Sequence, residues 1–213
     1  MGYLLNNSGE ILLLLWQHLQ MTGYTLLAAI ALAVPLSLLV RGYEWLKIPI
    51  LGLLGIFYTI PSLALIVLLV PVFGLNQVSV IVAMVIYTQV ILVRNLLVGL
   101  ESIDGAILEA AKGVGMSPWQ RWWMVQVPLV LPVFLAGVRL SAIVAIAIAT
   151  IGAKFGAGGL GTLLFEGIAQ AGRYDKIWAG AIAVSLLAFA INLSFLLLQK
   201  MVSPFATTAR KPI

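Results

Sequence analysis

Residues 48–93 read IPILGLLGIFYTIPSLALIVLLVPVFGLNQVSVIVAMVIYTQVILV, 46 consecutive positions without a formal charge. As one helix this run would extend roughly 69 Å at ~1.5 Å per residue, about twice the ~30 Å hydrocarbon core of a bilayer. It must therefore turn once, and residues 73–77, Phe-Gly-Leu-Asn-Gln, carry turn chemistry. Two spans follow, near 48–72 and 78–99. The remainder of the chain repeats the pattern. No formal charge occurs in residues 11–40, and the Trp-Gln-His-Leu-Gln stretch at 16–20 is polar enough for an interface. That places a first span near 20–40, after an extracytoplasmic or interfacial segment over residues 1–19. His18, the only histidine, then reads as an interfacial residue and not a ligand. Further spans are expected near 131–152 and 177–199, with residues 201–213 as a tail. The expected fold is an all-α membrane protein of about five transmembrane helices, one membrane domain over residues 20–200.

Composition supports this reading. Hydrophobic residues make up 62% of the chain and charged residues 9%, against about 45–50% and about 25% in an ordinary soluble domain. A soluble chain of 213 residues would need far more charge to cover its surface. The net charge of +5 could suit nucleic acid, but the basic residues form no patch and sit singly at the ends of apolar runs, as membrane anchors do. With no cysteine, disulfides, thiolate metal sites and cysteine nucleophiles are excluded. No basic n-region or cleavage site precedes the first apolar stretch, so a signal peptide is not expected.

Lys and Arg set the orientation. With five spans, one side receives Arg41, Lys47, Lys112, Arg121, Lys200, Arg210 and Lys211, with Arg94 close by as an anchor; the other receives Lys154, Arg173 and Lys176. The positive-inside rule puts the first set in the cytoplasm, the N-terminus outside and the C-terminus inside. The polar segment at about 101–128 then lies in the cytoplasm.

Within that segment residues 104–115 read D-G-A-I-L-E-A-A-K-G-V-G. Asp104 is a good N-cap and residues 106–112 are mostly helix formers. Gly113 and Gly115 stop the helix, and Ser117-Pro118 can start another, with Trp119, Trp122 and Trp123 leading back to the bilayer. A short helix fixed by a glycine turn suits a groove on another protein.

The spacing resembles the cytoplasmic signature of permease subunits of ATP-binding-cassette importers: E-A-A, three residues, G, nine residues, I-x-L-P. Here it stands as Glu109-Ala110-Ala111, Gly115 and Val125-Gln126-Val127-Pro128, with valine for isoleucine and for leucine. The resemblance implies a methionine-permease-like bundle whose loop helix, carrying Glu109, Ala110, Ala111 and Gly115, docks into a cleft of an ATPase subunit. It implies three protein partners: ATPase subunits that bind the ATP and Mg, a second permease subunit (identical or related) and an extracytoplasmic substrate-binding protein. The setting is a bacterial or archaeal cytoplasmic membrane. No P-loop occurs in this chain, so no cofactor, metal or catalytic residue is expected in it. The stretches at 58–65, 94–100 and 156–161 also resemble the branch importing glycine betaine, choline and carnitine, and methionine and phosphonate importers share parts of that pattern.

Several residues carry two readings. Thr59-Ile60-Pro61-Ser62 breaks the second span, since proline frees a backbone carbonyl; the break either lines a path or is a packing kink. Arg139 inside an apolar run is either a structural partner for a polar neighbour or a path residue. Tyr58 and Tyr87, with Phe57 and Phe155, offer faces for a quaternary ammonium. Residues 156–161 match G-x-G-x-x-G, but a membrane helix precedes them where a dinucleotide site needs a strand. Close backbone packing or a gate is the better reading. The rivals are a permease for methionine or another small solute, a secondary transporter, which should hold an acid within a span, and a channel, which would leave the ordered loop without purpose.

Overall fold

The computed structural model describes Tyr3 and residues 6–203. Most of the expected tail, with Arg210 and Lys211, lies outside the described residues. Every regular element among the described residues is a helix. Four helices are long and apolar enough to cross a membrane, and a fifth crossing results if one bent pair is counted.

Helix α1 (Ser8–Gly42) is unbroken over 35 residues. The interfacial stop expected near residue 20 is absent because the polar side chains there have partners inside the bundle. Gln17 Oε1 accepts the Gly159 N–H at 2.9 Å. His18 is 0% exposed, and its Nε2 donates to the Ile146 carbonyl at 3.2 Å. His18 is thus a buried residue and not an interfacial one.

The long uncharged run turns where expected. Helices α2 (Lys47–Thr59) and α3 (Ser62–Phe73) are bent by 96° against each other. Pro61 is the cause: its ring forces Ile60 into an extended conformation, φ −67° and ψ 126°, which no helix can pass through. At about 20 Å and 18 Å, neither half alone spans a bilayer. Gly74 follows at φ +86°, a value that favours glycine. Asn76 then caps α4 (Gln77–Glu101) by accepting from the Val78 N–H.

From α4 the chain passes through α5 (Gly105–Gly113) and α6 (Pro118–Arg121), and a π-helical turn at Trp122–Gln126 feeds α7 (Val127–Gly152). α8 (Gly161–Ala169) and α9 (Tyr174–Val202) complete the chain. α8 is a helix the residue pattern alone left as a glycine-rich connection. The glycines before it pack closely: a Cβ on Gly158 would meet Gln17, and one on Gly159 would meet Met21 and His18. A helix, α7, precedes them, so a dinucleotide fold is excluded there.

α4 is the centre of the bundle. Two-thirds of its most apolar window is buried, against 6% for α9. It runs antiparallel to α7, and three glycines set the separation. Gly99 lies against Val130, Gly137 against Asn95 and Gly152 against Val80. In lipid, such small-residue crossings replace the hydrophobic drive that water would give.

The polar ties fall into two groups. Arg41 donates to Gln126 Oε1 at 2.7 Å, Lys47 pairs with Glu101 and Gln199 donates to the Pro132 carbonyl. At the other end Gln17 holds Gly159, Lys176 pairs with Glu166 and Arg173 with Asp175. The described members of the two basic sets thus sit at opposite ends of the bundle.

Gly152→Ala places a methyl against the Val80 side chain, so it should cost about 1–3 kcal/mol by overpacking. Gly23→Ala, which meets nothing within 4 Å, should be neutral or stabilising by up to ~1 kcal/mol. Thermal unfolding of the detergent-solubilised protein would separate the two; equal melting temperatures would contradict the packing account.

Candidate functional site

The polar loop folds as its residue types require. Asp104 Oδ1 accepts the Ala106 N–H at 2.9 Å and starts α5. Two backbone bonds close the helix, from Gly115 N to Lys112 O and from Met116 N to Ala111 O, with Gly115 at φ +81°. Such C-terminal closures place glycine in the left-handed region. Ser117 and Gln120 then form a reciprocal capping box with Pro118 in the first turn. Arg121 reaches back to the Met116 carbonyl at 3.0 Å and fixes the turn against α6.

The expected docking residues divide into two kinds. Glu109, Ala110 and Gly115 are exposed, and Glu109 makes no ion pair among the described residues. Ala111 is only 7% exposed and so is turned away from solvent. Around the exposed face stand Ile107, Val114 and Trp119, large apolar groups open to solvent, with Trp119 edge-on to Trp123 at 5.5 Å. Exposed apolar surface of this kind is what protein and membrane contacts are made from. The Lys47–Glu101 pair at the base of α5 is half exposed. An exposed pair of that kind contributes about 0–1 kcal/mol, enough to set register and little more.

A second feature opens beside α4. Tyr58 of α2 and Tyr87 of α4, two of the expected path residues, meet with ring centroids 5.5 Å apart and planes tilted by 54°. Next to them lies a cleft of about 390 Å3 lined by Gly55, Tyr58, Arg94, Asn95 and Leu140, with Val90 and Ile91 as its floor. Tyr87 and Arg94 are seven residues apart, about two turns, and so share one face of α4. Asn95 is held by its own bond to the Ile91 carbonyl at 2.8 Å and by contact with Gly137.

The other expected residues have distinct places. Thr59, whose hydroxyl donates to the Ile56 carbonyl, forms with Pro61 and Ser62 the corner directly after Tyr58. Arg139 is half-buried, and its neighbour Leu140 supplies the α7 wall of the cleft. Phe155 packs against the buried cluster that contains Tyr87, while Phe57 is exposed. Arg94, read from the charge pattern as an anchor at a span end, lines this cleft, and α4 continues about two turns beyond it to Glu101. The seven-residue spacing from Tyr87 was the available signal. Among the described residues no three His, Asp or Glu side chains come together as a metal site.

Residues 25–207 match the family described as binding-protein-dependent transport system inner membrane component. The osmoprotectant import permease protein OsmW of Salmonella typhimurium is 35% identical over 207 residues, covering 95% of this chain and 96% of its own. The carnitine transport permease protein OpuCB of Listeria monocytogenes is 34% identical over 200 residues, covering 94% and 91%. The glycine betaine/carnitine/choline transport system permease protein OpuCB of Bacillus subtilis is 31% identical over 213 residues, covering 100% and 98%. Among solved structures, the inward-facing MetNI methionine ABC transporter matches with a TM-score of 0.80 over 92% of this chain and 97% of that one, at 18% identity. At that identity the likeness speaks for the fold alone.

Gly115→Ala puts a side chain at φ +81°, which costs about 1–2 kcal/mol. The strain falls on the closure of α5, so amide hydrogen exchange within Gly105–Gly113 should accelerate about tenfold or more, since each ~1.4 kcal/mol is a factor of ten. Unchanged protection there would show that the turn does not hold the helix.

Proposed function

This chain belongs to the binding-protein-dependent transport system inner membrane components, and from that premise we propose that it forms the membrane path for a quaternary amine osmoprotectant: glycine betaine, carnitine or choline. Membership makes it a multi-pass inner-membrane permease subunit of an ABC importer, not itself an enzyme, working with an ATPase and a binding protein. The solute assignment rests on full-length relatives, 31–35% identical, that are themselves permeases for osmoprotectants, carnitine, choline or glycine betaine. The paired tyrosines agree with it, because a quaternary ammonium is drawn to aromatic faces.

α5 is the docking element in this reading. Glu109 and Ala110 present its outer face to a cleft of the ATPase, Ala111 seats the helix inwardly, and Gly115 makes the turn that lets it project. The end bearing Arg41, Lys47, Lys112, Arg121 and Lys200 is cytoplasmic, so the N-terminus lies outside and the C-terminus inside. A second permease subunit, identical or related, covers α2, which has no buried residue in the single chain. ATP and Mg bind the partner ATPases. Their closure draws the paired loop helices together and opens the spans outward; solute arrives from the binding protein, and hydrolysis resets the pair. The driving force is the differing affinity of the ATPases for the two states. Tyr58, Tyr87 and Arg94 border the path, with Thr59, Pro61 and Ser62 as its bent corner and Arg139 behind the α7 wall.

Reconstitution with the ATPase and binding protein in proteoliposomes tests both halves. ATP-dependent uptake of a labelled quaternary amine is expected; uptake of methionine alone would overturn the solute assignment. Gly115→Asp should reach the membrane at a normal level yet lose uptake and solute-stimulated ATP hydrolysis. Normal uptake by that variant would remove the docking assignment.

A further inference from the structure

Among the described residues, Arg94 is the only charged one lining the cleft beside the tyrosine pair. It forms no ion pair among the described residues. Its neighbours in the cleft carry no negative charge: Val90, Ile91, Gly55 and Leu140 are apolar, and Asn95 and Tyr58 are neutral. Arg94 is exposed in the single chain, and an unpaired guanidinium within a candidate span is the kind of residue that marks a ligand or ion pathway. The seven-residue spacing sets Arg94 about two turns along the same face from Tyr87. Side chains on a helix tilt toward its N-terminus, so the guanidinium leans toward the tyrosines. The cleft therefore has an aromatic end, an apolar floor and a cationic end.

We infer that this cleft selects zwitterions: the guanidinium of Arg94 takes a solute carboxylate while Tyr58, backed by Tyr87, takes the quaternary ammonium. The inference rests on the quaternary amine reading above and narrows it. Guanidinium and carboxylate pair through two parallel hydrogen bonds, a geometry that lysine does not reproduce. A solute with an ammonium and no carboxylate, such as choline, leaves Arg94 unpaired and meets its repulsion. The path thus favours glycine betaine and carnitine over choline, whatever the binding protein delivers. Like-charge rejection of this kind is how a site refuses a close analogue.

The test is uptake by the complete transporter, permease with ATPase and binding protein, in proteoliposomes. Glycine betaine and choline are each supplied at saturating levels of loaded binding protein, so that delivery does not limit. Wild type should move glycine betaine several-fold faster than choline. Arg94→Gln should lower the betaine-to-choline ratio about tenfold, the loss expected for one charge-assisted contact. Arg94→Lys should give an intermediate ratio. Equal loss of both solutes, or an unchanged ratio, would overturn the selectivity role and leave the solute class standing. If Arg94→Gln does not reach the membrane, the wild-type ratio and the lysine variant decide: equal rates in wild type overturn the inference. Uptake of neither solute by wild type overturns the quaternary amine reading itself, and this inference falls with it.

Discussion

The antiparallel crossing of α4 and α7 is the constraint on which the rest depends. Its three contacts pair Gly99 with Val130, Asn95 with Gly137 and Val80 with Gly152, spread over most of both helices. Each brings a side chain from one helix to a bare backbone on the other. Any Cβ at these glycines would overlap or press on its neighbour. The pair is thus locked along its length, and everything between or beyond its ends inherits its position. At one end the loop with α5 hangs from Glu101 and re-enters through α6. At the other, α7 delivers the glycine-rich segment onto α1.

Many polar groups inside the bundle find protein partners, as a lipid that offers no hydrogen bonds requires, while His18 Nδ1, Gln89 Oε1 and Ser141 Oγ have none among the described residues. Gln89 donates to the Ala29 carbonyl, Thr88 to the Met84 carbonyl, Ser37 to Ala33 and Thr22 to His18. The long-range members tie α1 to α4 and α7, so polar residues that look like a liability in sequence act as registers between helices. His18 and Gln17 are the clearest case. They fix α1 to α7 and to the glycine segment, and the helix runs through them without a break.

This is also where the residue pattern loses its power. Apolar run lengths against bilayer thickness made the crossings legible, as did Pro61 for the bend and Gly74 for the turn. The polar loop was legible in its caps and turn, because these are local: Asp104, Gly115 and Ser117-Pro118 need only their own neighbours, while the partnership of Gln120 with Ser117 emerged from the structure. His18 was not. Whether a polar side chain meets water or a carbonyl 128 positions away depends on tertiary packing that periodicity does not encode. That Arg94 shares a cleft with Tyr58 was not legible either, because a charge near the end of an apolar run looks like an anchor and the approach of α2 to α4 is a tertiary contact.

The short links around α5 connect the two candidate sites mechanically. Only Ser102, Ile103 and Asp104 separate α4 from α5, and only residues 114–117 separate α5 from α6. Ile103 packs on the buried cluster of Leu96, Leu100 and Val130, so the first link has little slack. A force on α5 therefore enters α4 and α7 together, and the glycine crossing makes them move as one body. α2 and α3 are held differently. α2 buries no residue, and its bend at Pro61 is a natural place for rotation. The seam between the locked pair and the bent pair is the cleft with Tyr58 on one side and Arg94 on the other, so under the proposed docking of α5 the residues proposed to hold a solute lie where the two parts meet.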